Sequence, residues 1–588
     1  MSFIKITFKK INTILSREQT EILETALLSM VPVFLTKVFG FLFGLFAATK
    51  FGNFDQDWQN FLLANTIPEF LTNVIIAGTI GSIVIPSFVS SKKNQNEKTF
   101  FELFSTILNF SLLLVFVFYA FIFLFGHQLI PFLLNILAPN ALENISYTKD
   151  IPEIIEKTKL LLVPQLLLGV STFVSCGLNV YNRFLITHFA PLLYNLGRLF
   201  GLIFLTPLFG IYGVVYGIFI GSFLHLVIQL PQAKHVGLKY FFVLKLDNKY
   251  IKEIFVVAFP RLLTLAMENI VRVIVNFVSF SIKGGIAALY FADQVISVVP
   301  NLFSFTFALA SYPKLSLLYD NKDYEKFRKI VIKTLNEILF LVLPVVITLL
   351  VLRVPVTRLV FGSLPNTSLS LTETYSIAWN ILLFSIGLTF LAGKWFLYRV
   401  YYATKDTKTP LFISIFSSII SLVCSFLFIN LFSHNTEFAI SNTKLSLEKF
   451  FSRSDSLVAI GGIPLGLSVG YIVEFLLLFF IFNKYRVCLH IRENIKFFLH
   501  KIIASVAMGI TMYLVYRTWN AISYIIPERA DEFYLGSTTL NLLLLTCITI
   551  FISFVVYLLV CIFFKVEEVK IFGKYIRPLC KISGVKLD

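Results

Sequence analysis

The chain has 588 residues, of which 57% are hydrophobic and 14% charged, with 66 Phe and a formal net charge of +17. With a mean hydropathy of +0.82, no soluble fold of this length fits, and a polytopic, all-α membrane protein does. The positive charge is scattered through short connections rather than gathered in a basic, aromatic-interleaved domain, which excludes nucleic acid as a partner. The six cysteines show neither a CxxC spacing nor neighbouring His clusters, so no disulfide framework, metal site or cofactor is expected.

In chain order, residues 1–26 form a basic amphipathic leader without the apolar core of a signal peptide. They read either as an interfacial cytoplasmic helix or as a frayed polar segment. Hydropathy then gives about fourteen spans: 27–50, 59–88, 103–126, 158–181, 187–207, 211–232, 252–282, 285–311, 328–352, 374–402, 408–432, 458–483, 494–518 and 538–564. The piece 127–140 is too short to cross a bilayer and is expected to be an interfacial or re-entrant turn. The polar insertion 433–456 offers no recognisable chemistry. Connections after even-numbered spans are rich in Lys and Arg, from Lys92 and Lys93 to Lys484 and Arg486; those after odd-numbered spans carry acids such as Asp55 and Asp57. By the positive-inside rule both termini are cytoplasmic.

Span seven carries the most polar pattern. Arg261, Glu268, Arg272 and Asn276 follow at intervals of seven, four and four, which places them on one stripe of a helix. A charge facing lipid costs several kcal/mol, so this stripe faces protein or water. It is either a polar seam between packed helices or the cationic wall of a cavity for an anionic ligand. Lys37 in span one is a second cation at mid-membrane depth.

A weak internal repeat links the two halves. Pro32 and Pro260, Pro86 and Pro313, Phe100 and Phe327, and Asn109 and Asn336 pair at intervals of 227 or 228 residues. The expected division is therefore an N-lobe at 27–240, a C-lobe at 241–485, a two-helix appendix at 486–565 and a basic cytoplasmic tail at 566–588.

The run Arg399-Val-Tyr-Tyr-Ala-Thr-Lys-Asp-Thr-Lys-Thr-Pro410 resembles the signature between spans ten and eleven of the lipid II flippases (MurJ/MviN). PLLYNLG from Pro191, FGIYGVVYGIFIGSFLHLVIQLP from Phe209, YFAD at 290–293, YPKLS at 312–316 and RLVFG at 358–362 are similar to the same family, in its order. The resemblance covers about residues 27 to 565. It implies the fold of the multidrug/oligosaccharidyl-lipid/polysaccharide exporters, two six-helix lobes around a cavity, with spans thirteen and fourteen as a groove for an undecaprenyl tail. It implies an inner-membrane flippase of lipid-linked peptidoglycan precursor, working by alternating access for cell-wall biogenesis and cell shape, as a monomer beside the cell-wall synthesis machinery.

The headgroup residues expected on this reading are Lys37, Arg261, Glu268, Arg272, Asn276 and Lys394. Asp293, Arg399 and Arg198 stand as gate or structural residues, and Arg399 reads equally as an interface anchor. The chain departs from the family where Phe43, Gly44, Thr72, Asn73 and Gln294 replace charged residues. Those departures leave open an exporter of another polyprenyl-linked glycan or of a drug. A membrane-embedded enzyme is rejected, because no HExxH, P-loop or nucleophile elbow appears.

Overall fold

The computed structural model describes residues 22–77, 97–137, 149–245, 249–363, 367–434, 458–489, 491–525 and 539–572. The leader before residue 22, the second half of span two with Pro86, almost all of the 433–456 insertion and the tail after residue 572 lie outside the described residues. Among the described residues, thirteen helices are long and apolar enough to cross a membrane. The chain divides into two compact units, residues 1–287 and 288–588.

The first unit contains α1 (Ile22–Phe51), α2 (Gln56–Leu71), α3 (Glu97–Leu137), α4 (Asp150–Val180), α5 (Phe184–Phe200), α6 (Tyr212–Val227) and α7 (Lys249–Phe280). Asp55 caps α2 by accepting the Trp58 N–H at 2.7 Å, the usual satisfaction of a helix's first amides. Pro68 inside α2 has no N–H to give the Ala64 carbonyl, and the Thr158 hydroxyl of α4 fills that vacancy at 3.2 Å. Just beyond, Thr72–Ala77 widens into a π-helical turn, a local distortion frequent at functional sites.

The stretch 127–137 is not a re-entrant turn. It continues α3 without a break through Pro131, giving a helix of 41 residues. At about 1.5 Å per residue that helix is about twice as long as the hydrocarbon is thick, so it projects beyond the bilayer. Pro131 does not stop it because a proline costs one backbone hydrogen bond, which a long, packed helix tolerates.

The second unit contains α8 (Gly285–Ile296, continuing after a π turn as Phe305–Asp320), α9 (Tyr324–Val351), α10 (Leu371–Ala403), α11 (Lys408–His434), α12 (Gly462–Tyr485), α13 (Ile491–Ile525) and α14 (Thr539–Phe563). The first residues of α8 fall in the first unit. A full capping box, Ser370 with Glu373, starts α10. The appendix is bolted to α9. Pro344 leaves the Phe340 carbonyl free, and the buried Tyr557 hydroxyl of α14 donates to it at 2.9 Å. Lys501 of α13, fully buried, donates to Asn336 of α9 and pairs with Glu568 at 2.9 Å.

The repeat that is faint in sequence is plain in packing. In the first unit α2 packs on α4, α3 on α4, α4 on α6 and α5 on α6. The second unit makes the same pairs six helices later: α8 on α10, α9 on α10, α10 on α12 and α11 on α12. The closest of these are small-residue seams, as expected where lipid removes any hydrophobic force between helices. Gly213, Gly217 and Gly221 of α6 lie against the backbone of Thr206, Gly201 and Gly197. Gly462, Gly466 and Gly470 of α12, 249 residues on, lie against Ile429, Ser425 and Ser421 of α11.

Compactness places the division after Ala287, whereas the repeat places it at 240/241. The two differ by one helix, because α7 packs on α2, α3 and the π turn.

Candidate functional site

The first unit holds a small cleft between α2 with its π turn and α7. Thr66, Glu69, Phe70 and Asn73 form one wall, and Asn269, Arg272, Val273 and Asn276 the other. Two hydrogen bonds hold lining side chains in place. Asn276 Nδ2 donates to Thr66 Oγ1 across the cleft at 3.0 Å, and Asn65 Nδ2 donates to Glu69 Oε2 one turn away at 3.0 Å. Asn269 is turned along its own helix, donating to the Leu265 carbonyl at 2.8 Å. A carboxylate, a guanidinium and three amides thus meet in one small cleft. Such a surface binds a polar, hydrogen-bonding group and repels an acyl chain.

The residues expected from sequence are distributed as follows. Arg272 is exposed in the cleft and Asn276 half-buried beside it. Glu268 is half-buried on α7, one position round from the cleft face, which is formed by residues 269, 272, 273 and 276. The side chain of Arg261 lies outside the described residues. Lys37 is exposed on α1, on the same helical face as Phe34 and Phe41.

Lys394 belongs to the second unit and is 2% exposed. Its Nζ pairs with Glu474 Oε2 of α12 at 3.0 Å, under Tyr471 at 4.9 Å, while the Tyr398 hydroxyl donates to the other Glu474 oxygen. Sequence reading missed Glu69 and Glu474, although a lone acid inside an apolar span is a signal that could have found both.

The repeat gives Lys394 and Glu474 counterparts. Asn182 and Lys405, both left-handed, end α4 and α10 at an interval of 223 residues. By that interval Ser171 corresponds to Lys394, and by the 249-residue interval of the glycine seams His225 corresponds to Glu474. Ser171 Oγ does lie 2.6 Å from His225 Nδ1, joining α4 to α6 where Lys394 and Glu474 join α10 to α12. One unit makes this tie with an ion pair, the other with groups that need carry no charge.

Arg198 of α5 lies over the Phe43 ring at 4.0 Å, close enough for a cation–π contact, so the aromatic that departs from the family pattern receives a cation from α5. Asp293 is half-buried on α8, and Arg399 half-buried near the end of α10. In the signature loop after α10, Asp406 caps α11 by accepting from the Thr409 amide at 3.0 Å and hydroxyl at 2.7 Å, and it pairs with Arg486 at the end of α12. Burial opposes its charge, but those hydrogen bonds outweigh the burial and hold the carboxyl below the usual carboxylate range. The motif is therefore a structural corner joining α10, α11 and α12. Among the described residues no cluster of His, Cys, Asp or Glu could hold a metal ion.

The family model described as lipid II flippase MurJ matches residues 48–451. A probable lipid II flippase MurJ of Buchnera aphidicola subsp. Baizongia pistaciae is 25% identical over 73% of this chain and 82% of its own. Another from Buchnera aphidicola subsp. Acyrthosiphon pisum is 24% identical over 84% of this chain and 90% of its own. The solved structure described as lipid II flippase MurJ, inward closed conformation, superimposes with a TM-score of 0.66 at 18% identity, covering 90% of this chain and 98% of that one. An inward-facing multidrug resistance MATE transporter of the MOP superfamily gives a TM-score of 0.57 at 14% identity, over 77% of this chain and 96% of that one. Multi-span helical architecture, fold and a family match over most of the sequence agree: the chain belongs to the lipid II flippase MurJ family.

Proposed function

We propose that this chain flips lipid II, the lipid-linked peptidoglycan precursor, from the cytoplasmic to the outer leaflet of the bacterial inner membrane by alternating access. The family match over residues 48–451 is the observation that carries this reading. The polar cleft between α2 and α7 supplies a place for part of the headgroup, with Arg272 as its cation. Arginine suits a diphosphate because its planar fork makes paired, charge-assisted hydrogen bonds. Lys37 of α1 and Arg261 in the sequence of α7 are further cations proposed for the path of the headgroup. The undecaprenyl tail would lie along the apolar faces of α13 and α14, where Ile503, Val506, Ile510, Phe551 and Phe563 are exposed. The chain is a transporter rather than an enzyme, works as a monomer beside the cell-wall synthesis machinery and keeps both termini in the cytoplasm.

Complementation tests this. Expressed in a bacterium depleted of its own lipid II flippase, the wild-type chain is expected to restore growth. Arg272→Ala is expected to lose at least tenfold in plating efficiency at equal membrane abundance, with Arg272→Lys intermediate. Failure of the wild-type chain despite membrane expression would contradict the lipid II assignment and favour another polyprenyl-linked glycan.

A further inference from the structure

The connection from α6 to α7 carries an apolar surface outside the cleft. After α6 the chain continues as a short helix, Leu230–His235, and the membrane span Tyr212–His235 ends there. Gly237, in the left-handed region, turns the chain, while the Leu238 amide donates back to the Ala233 carbonyl at 2.9 Å. Residues 238–245 then form an irregular strap, starting where a span meets the boundary between lipid and water.

The strap is fastened along the start of α3. Ser105 Oγ accepts the Phe241 amide at 2.9 Å, and Lys245 Nζ pairs with Glu102 at 2.9 Å. Asn109 Nδ2 donates to the carbonyls of Phe241 at 3.2 Å and Val243 at 2.9 Å, and its Oδ1 accepts from the Tyr240 hydroxyl at 2.7 Å. The Val243 amide donates to the Phe241 carbonyl at 2.9 Å, closing a three-residue turn with Phe242 at its apex. Phe241 packs inward on the Phe101 ring at 6.5 Å, whereas Phe242 is 93% exposed, with Tyr240 and Leu244 exposed on either side.

A single exposed apolar residue is ordinary, but here the tied-down backbone presents three together. The same boundary is basic, since Lys234, His235 and Lys239 are also exposed. Apolar and aromatic tips flanked by lysines match the interfacial zone of a bilayer, where rings sit at headgroup level and ammonium groups reach phosphates. The positive-inside rule assigns this connection to the cytoplasmic leaflet, whose anionic lipids complement that charge.

We propose that the strap 238–245 is a membrane-surface anchor. Tyr240, Phe242 and Leu244 insert at headgroup level, and Lys234 and Lys239 bind the phosphates of anionic phospholipids. The anchor fixes the depth of the start of α3 and of the connection to α7, whichever lipid-linked substrate is moved.

The test uses the purified full chain in phosphatidylcholine vesicles with and without phosphatidylglycerol. Phe242→Trp adds one tryptophan to the four of the wild type, and its emission is read by difference. That emission is expected to fall about twofold or more with a nitroxide lipid labelled near the headgroup, and to resist aqueous acrylamide. Leu244→Trp is a second reporter with the same expected behaviour. Nitroxide quenching should be stronger with phosphatidylglycerol, and Lys234→Glu combined with Lys239→Glu should remove that difference. Quenching by acrylamide but not by nitroxide lipid would place the strap in water and overturn the proposal. Shielding from both quenchers would mean that a protein surface covers the strap, which overturns it equally. Nitroxide quenching indifferent to phosphatidylglycerol would overturn the assignment to anionic lipid.

Discussion

Gly221→Leu in α6 is expected to remove most of the folded protein from the membrane. A Cβ at this position falls on the backbone carbonyl of Tyr194 in α5, not on a side chain that could rotate away. The two helices would have to separate, losing the contacts of Gly197, Gly201, Gly213 and Gly217 together. Overpacking a core costs about 1–3 kcal/mol where side chains can adjust, so a backbone clash along a whole seam should exceed the top of that range. Size-exclusion profiles and thermal unfolding in detergent would show it. Gly126→Ala is the matched control, since its Cβ would meet only ordinary contacts with Ile155 and Lys159 and should be neutral. A monodisperse Gly221→Leu protein at wild-type yield would contradict the close approach of α5 and α6.

Glu474→Leu should be nearly as damaging, for an electrostatic reason. Lys394 would keep its charge in a site that is 2% exposed, and breaking a buried pair on one side typically costs about 3–5 kcal/mol. Adding Lys394→Met should recover most of the loss, because a buried pair replaced by apolar groups is often neutral or stabilising. The first unit supports that expectation, since it ties α4 to α6 at the corresponding place with Ser171 and His225. Thermal unfolding of the single and double variants separates the outcomes. A double variant as unstable as the single would mean that the charges do more than neutralise each other.

Much of the architecture was legible because lipid imposes one simple rule, roughly twenty apolar residues per crossing. The rule fails where a helix is longer than the bilayer needs. Residues 127–137 read as a separate short piece, yet they extend α3, because nothing in their composition signals that a helix already across the membrane should stop. The repeat was readable at Phe100 and Phe327, both fully buried, but its strongest form lies in glycine and serine seams whose meaning depends on what faces them.

The site was half legible. The four-residue spacing from Glu268 to Asn276 pointed to α7, and Arg272 and Asn276 do line a polar cleft. The opposite wall was missed because Glu69 follows a proline and precedes a π turn, where helical periodicity no longer predicts direction. Lys394 illustrates the opposite limit. A cation in a span looks the same in sequence whether it faces a cavity or a buried acid 80 residues away, and here Glu474 is beside it.

The most direct test of the account is lipid II translocation itself. The purified chain is reconstituted into vesicles loaded with fluorescent lipid II, and the fraction reaching the opposite leaflet is followed with time. Transfer well above that in protein-free vesicles is expected, reduced at least tenfold by Arg272→Ala in protein that remains folded. Transfer no faster than in empty vesicles, from folded wild-type protein, would contradict it.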